Sequence, residues 1–186
     1  QGRAGLGCGG WQSYGSEPAD SRRALGPGVA PVTAALGVVG RRGFRAYAGL
    51  RASGAPQAGE TVAVAAATGP VGSAVGQIAR LMGCRTVGIA GGSEKVAYLE
   101  QPGFDAALDH RSGDLSAQLR QAAPDGIDVS FENAGGPVLD AILPHLNTFA
   151  RVPVCGLAAT YTATEPPAAP HRPPPPSVQH LPPSLP

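Results

Sequence analysis

The chain has 186 residues, 42% of them hydrophobic and 5% aromatic, with 14 Lys and Arg against 13 Asp and Glu, a formal net charge of +1. That length allows one good domain, or one domain with fragments, and the apolar share is enough to bury a core. The near-neutral balance makes no electrostatic case for nucleic acid or an anionic membrane, and no apolar run approaches the roughly 20 residues that span a bilayer.

In chain order, residues 1–26 are glycine-rich and irregular. Val32–Gly37 and Arg42–Ala52 read as helical, with Tyr47 and Leu50 on one side, and Pro56–Glu60 is a turn. Thr61–Ala67 is the first strand of an alternating series. Val71–Met82 is a helix because Val71, Val75, Ile78 and Met82 recur at helical spacing, and Gly83 ends it. Arg85–Ala90 is the second strand and Glu94–Leu99 a short helix that Pro102 stops. Ala106–Asp109 is a third strand, Leu115–Ala122 a helix, Ile127–Glu132 a fourth strand, Val138–Leu146 a helix and Ala150–Cys155 a fifth strand. This alternation predicts an α/β, Rossmann-type, doubly wound parallel sheet with right-handed crossovers. Pro153 predicts an edge position for the fifth strand. Residues 166–186 hold ten of the 20 prolines. Such a stretch lacks backbone donors and is expected to be an extended or disordered tail.

The junction of first strand and first helix carries the chemistry. Ala66, Gly69 and Gly72 form an A-x-x-G-x-x-G pattern between them. The backbone there must turn tightly, approach a pyrophosphate with no Cβ in the way, and let the helix pack close to the sheet. The helix start offers N–H groups and partial positive charge to the phosphates, and Pro70 suits that first turn because a missing N–H there is harmless. About twenty residues on, where an acid would bind a ribose 2′-hydroxyl, the chain reads Gly91-Gly92-Ser93-Glu94-Lys95. Lys95 could meet a 2′-phosphate, which favours NADPH over NADH; otherwise it is a solvated helix lysine. Three cysteines, Cys8, Cys84 and Cys155, at long spacings suggest neither a disulfide framework nor a zinc cluster. A reducing, cytoplasmic setting is expected. His145, His171 and His180 lack ligand-like spacing and read as surface residues.

These segments resemble the zinc-independent medium-chain dehydrogenase/reductases of the leukotriene B4 12-hydroxydehydrogenase, prostaglandin reductase and alkenal double-bond reductase type. The resemblance rests on GWQSYG (10–15), AGETVAV (58–64), GPVGSAVGQIARLMGCRTVGIAGGSEK (69–95), GFDAALDH (103–110), PDGIDVSFENAGGPVLDAILPHLN (124–147) and ARVPVCGLAATY (150–161), and covers roughly residues 10–165. It implies NADPH as cofactor and reduction of the C=C bond of α,β-unsaturated aldehydes or ketones. It implies Gly69, Pro70, Val71 and Gly72 at the pyrophosphate, Lys95 at the 2′-phosphate, and Asn133 near the cofactor. It further implies Cys155, Gly156, Leu157 and Tyr161 beside the nicotinamide and its ribose, with Tyr161 the catalytic candidate. His110 stands where the family usually has a tyrosine near the adenine ribose. No metal is implied.

The resemblance also implies that this chain is a fragment: residues 1–34 a remnant of an N-terminal catalytic lobe, 35–164 a truncated NADP-binding domain, and 165–186 a proline-rich disordered tail, whose change in composition a shifted reading frame or altered exon after about Pro170 would explain. Strand 4–strand 1–strand 5 should then form the centre and one side of a sheet lacking a sixth strand, with an edge open to aggregation or a homodimer and marginal stability. Three further readings stay open: a non-catalytic NADP-binding fragment or pseudoenzyme, a quinone oxidoreductase of the same superfamily, and docking of the proline-rich tail on SH3- or WW-like grooves.

Overall fold

Residues 5–7, 10, 12–26 and 31–164 are described by the structure, a computed structural model. The expected tail lies outside them, as do Cys8, Trp11, His171 and His180. The chain folds as two units, 1–44 and 45–186. In the first, β1 (Gly5–Leu6) pairs antiparallel with β2 (Arg23–Ala24), and 3-10 turns cover Ala19–Ser21 and Val32–Leu36. The division falls inside helix α1 (Arg41–Ala48).

The second unit is built on a five-stranded sheet, every pair of which is parallel. Its strands are β3 (Thr61–Val64), β4 (Arg85–Ala90), β5 (Ala106–Asp109), β6 (Ile127–Phe131) and β7 (Leu146–Arg151), in the order β5-β4-β3-β6-β7. The helices α2 (Pro70–Leu81), α3 (Ser93–Tyr98), α4 (Leu115–Ala122) and α5 (Gly136–Ile142) connect them in turn. This is the expected α/β fold.

Alternation along the strands supplies both cores. Val62 and Val64 pack on one face with Val75, Ala79 and Leu99, while Ala63, Ala65, Val87 and Ile89 pack on the other with Leu119, Val138 and Ile142. Small residues decide how close α2 comes. The absent side chains of Gly76 and Gly88 leave the space that the Phe104 ring fills. Gly72 lies against backbone, where a Cβ would stand 2.6 Å from the Ala66 carbonyl oxygen. Gly83 takes φ +81 and turns the chain out of α2. Asp114 starts α4 by accepting the Ser116 N–H at 2.9 Å.

Several expectations are corrected. The fifth strand lies beside the fourth, not beside the first, because β6 separates β7 from β3. It is an edge of the sheet, as expected, although β7 runs from Leu146 to Arg151 and Pro153 lies beyond its end. Pairing continues past its end: Glu132 N–H donates to the Pro153 carbonyl at 2.9 Å and Cys155 N–H to the Glu132 carbonyl at 2.8 Å. The helix expected to reach Leu146 stops at Ile142, followed by a 3-10 turn at Leu143–His145 that contains Pro144. After α1 the chain widens into a π turn at Gly49–Gly54. Tyr47 and Leu50 do not share a side, since Leu50 is fully buried and Tyr47 is 53% exposed. His145 is not a free surface residue: it is half-buried and its Nε2 shares a 2.8 Å hydrogen bond with Ser116 Oγ. Burial, and then the Arg120 charge, pushes its pKa down.

Candidate nucleotide-binding site

The turn between β3 and α2 is tight enough to force a non-glycine residue into a left-handed conformation. Ala66 takes φ +50 where the pattern replaces glycine by alanine, a strain of roughly 1–2 kcal/mol. Gly69 caps α2 in an extended conformation with no side-chain bond, Pro70 opens the helix, and Ser73 N–H returns to the Gly69 carbonyl at 2.9 Å. Among the described residues the Val71 and Gly72 N–H groups have no protein acceptor. They supply the donors and partial positive charge that an anionic group would need.

A cleft of about 130 Å³ lies beside this turn at the carboxyl ends of the strands. Ala66, Thr68, Ile89, Ala90, Gly91, Lys95, His110, Arg111, Ala134 and Val138 line it. The loop after β4 and the loop after β5 are tied together by Asp109, whose Oδ1 accepts the Gly92 N–H at 2.8 Å and the Arg111 N–H at 2.9 Å. Those two bonds hold the Asp109 carboxyl below its ordinary pKa. Wider depressions occur elsewhere, one of about 440 Å³ around Arg51, Gln57 and Met82 and one of about 480 Å³ within the first unit. The first borders the loop that precedes β3, away from the carboxyl ends of the strands.

A second cluster surrounds the turn after β6. Asn133 Nδ2 donates to the Ala65 carbonyl at 3.0 Å, linking this turn to the end of β3. Glu132 is fully buried, and its Oε1 accepts the Ala134 N–H at 2.5 Å and the Gly135 N–H at 2.8 Å. Its Oε2 has no partner among the described residues, nor does the buried Ser130 Oγ. Burial raises the Glu132 pKa, and the N–H bonds of the turn oppose that rise. The Ala158 and Ala159 N–H groups bond to the Asn133 and Ala134 carbonyls at 3.0 and 2.8 Å. The segment 155–161 therefore hangs on this turn. Leu157 N–H donates to Tyr161 Oη at 3.3 Å, and Tyr161 is 72% exposed. Cys155 packs against the core, and burial pushes its thiol pKa up, away from nucleophilic use.

The structure thus gathers the sequence-predicted residues into two groups. Lys95 and His110 face one cleft beside the Gly69–Gly72 turn; Asn133, Cys155, Gly156, Leu157 and Tyr161 form the other. Sequence reasoning missed Arg111, although it adjoins His110, and missed the buried Glu132 beneath the Asn133 turn. The acid just after the last residue of β6, Glu132 before Asn133 in FENAGG, was the available signal for the latter.

A parallel α/β sheet with an uncapped helix start and a cationic cleft at its strand ends defines a nucleotide-binding domain of the dehydrogenase class. Residues 70–172 match the family described as zinc-binding dehydrogenase. The chain is 53% identical over 168 residues to the NADPH-dependent curcumin reductase of Escherichia coli (strain K12), a match that covers 90% of this chain and 49% of that protein. It is 47% identical over 141 residues to prostaglandin reductase 1 of Mus musculus, covering 75% and 43% of the two chains. The crystal structure of CurA in complex with NADPH from Vibrio vulnificus superposes with a TM-score of 0.75 at 50% identity, over 80% of this chain and 45% of that one. The chain belongs to the zinc-binding dehydrogenase family, and it is similar also to the 2-alkenal reductase (NADP(+)-dependent) of Nicotiana tabacum, at 42% identity over 82% of this chain and 45% of that protein. It spans about half the length of the curated relatives it matches. The family description does not fit the donor set here: no group of three or more His, Cys, Asp or Glu among the described residues is placed to hold a metal ion.

Proposed function

We propose that this chain carries the cofactor half of an NADPH-dependent reductase acting on the C=C bond of α,β-unsaturated aldehydes or ketones. The observation that supports it best is the pairing of free Val71 and Gly72 N–H groups with a cleft lined by Lys95, His110 and Arg111. The donor set fits a dinucleotide carrying a 2′-phosphate. When bound, NADPH supplies a hydride for the β-carbon of the enone. The α2 start at Gly69–Gly72 holds the diphosphate, Lys95 meets the 2′-phosphate, and His110 lies by the adenosine ribose. Asn133 and the segment Cys155-Gly156-Leu157 flank the nicotinamide end, and the Tyr161 hydroxyl holds its ribose or helps a proton to the carbonyl oxygen as negative charge builds there. In this reading residues 1–34 are the trailing end of a first lobe, 35–164 carry the cofactor and 165–186 form the tail. The setting is cytoplasmic; among the described residues no helix is long and apolar enough to cross a membrane. The open β7 edge would serve self-association, which sedimentation of the purified chain would test.

Fluorescence titration with NADPH and NADH, for the native sequence and Lys95→Ala, tests the cofactor reading. Tighter binding of NADPH that Lys95→Ala erodes is expected; equal affinity for both coenzymes contradicts it. A second reading, cofactor binding without turnover, is favoured by the exposure of Tyr161, which does not line the cleft. Enone-dependent NADPH oxidation, against a heat-treated control, separates the two.

A further inference from the structure

Gly91 follows the last residue of β4, and what lies over it belongs to a different loop. A Cβ at Gly91 would stand 2.6 Å from His110 Nε2 and 2.8 Å from Arg111 Nε. Both side chains, from the loop after β5, therefore lie across the bare backbone at the end of β4. Lys95 reaches the same cleft from α3. Two cationic side chains thus approach one small space, Lys95 from α3 and Arg111 from the loop after β5, and the Asp109 carboxylate ties that loop to Gly92 just before α3.

The Asp109 carboxylate, two residues earlier, feels the Arg111 charge but does not pair with it. Among the described residues the Arg111 guanidinium makes no ion pair, and the Asp109 Oδ1 is committed to backbone N–H groups. No carboxylate lines the cleft. A phosphomonoester carries about −1.5 to −2 charges at neutral pH, so it can engage two cations. A guanidinium meets it through a planar fork, an ammonium as a point charge. A ribose 2′-hydroxyl offers no such charge.

We propose that Arg111 is a second cationic contact for the 2′-phosphate and, with Lys95, sets the preference for NADPH over NADH. This rests on the cofactor reading given above. Arg111 is exposed, so its replacement removes no core packing.

The test is equilibrium titration of the full chain with four ligands: NADPH, NADH, adenosine 2′,5′-bisphosphate and 5′-AMP. Arg111→Ala is expected to weaken NADPH and the bisphosphate by roughly 10- to 100-fold, the loss of a charge-assisted bond, and NADH and 5′-AMP by less than about twofold. Arg111→Lys should recover part of the loss. Gly91→Ala, which pushes the guanidinium aside, should act in the same direction with smaller size. If Arg111→Ala shifts all four ligands alike, or none, while the native chain still prefers NADPH, this proposal falls and the cofactor reading stands. A native chain that binds neither dinucleotide overturns both.

Discussion

The two ends of the parallel sheet are built on opposite principles. At the end where the strands begin, polar groups answer one another. Arg151 donates to the Gly54 and Ala55 carbonyls at 2.8 and 3.1 Å and to both oxygens of Glu60 at 3.0 and 2.5 Å. Asp128 accepts the Thr61 N–H at 2.8 Å and Asn147 Nδ2 at 2.7 Å, and Asp105 accepts the Thr86 N–H and hydroxyl at 2.7 and 2.9 Å. At the end where the strands stop, among the described residues, Val71 and Gly72 keep unbonded N–H groups, Arg111 makes no ion pair, and Ala66 sits at φ +50. One end is satisfied and contributes stability. The other is left unsatisfied and strained, which is what a site for a large anionic ligand requires.

Substitutions at the two ends should therefore separate affinity from stability. The largest effect is expected for Gly72→Val. Its Cβ would meet the Ala66 carbonyl oxygen at 2.6 Å and Ala67 Cα at 2.8 Å, both backbone atoms that cannot swing aside. NADPH uptake should be lost, with stability lowered by about 1–3 kcal/mol, read by fluorescence titration and urea unfolding. Arg151→Ala should do the reverse. Breaking this half-buried pair should cost about 1–2 kcal/mol after solvent screening and leave NADPH affinity unchanged. A loss of affinity there would erase the contrast between the ends.

Two carboxylates give the contrast a pH signature of opposite sign. The Arg151 hydrogen bond holds the Glu60 pKa below its usual value of 4.5. Its stabilisation is fully present above that value and is lost as pH falls through the lower folded pKa. Glu132, at the strand-end side, is raised above 4.5 chiefly by burial. Its contribution is full below 4.5 and is lost as pH rises through the folded pKa. Unfolding midpoints across pH should show acid loss that disappears in Glu60→Gln. A decline as pH rises above 4.5 should flatten in Glu132→Gln. The smallest effect is expected for Ala66→Gly, which removes the left-handed strain and should add about 1 kcal/mol; a destabilised variant would show that the turn is not strained.

How much of this was legible follows from how local each feature is. β4 and β5 were bounded correctly because RTVGIA and AALD stand between glycine- and charge-bearing turns. The start of α2 was legible because Gly69-Pro70 is a local signal. The edge position of the fifth strand was expected from Pro153, which nevertheless lies beyond the end of β7. The neighbour of that strand did not, since strand order is a property of the whole sheet. Arg151 and Glu60 are 91 residues apart, and Thr61 and Asp128 67 apart. No periodicity or spacing announces such pairs. Arg111 was missed for the same reason: its role depends on Gly91, which a crossover brings beside it. His145 was misplaced because its partner, Ser116, lies on another helix.

The structure of the full chain with NADPH bound decides the account. The diphosphate is expected within hydrogen-bonding distance of the Val71 and Gly72 N–H groups, with the 2′-phosphate between Lys95 and Arg111. A diphosphate found away from the α2 start, or a 2′-phosphate turned from both cations into solvent, would contradict it.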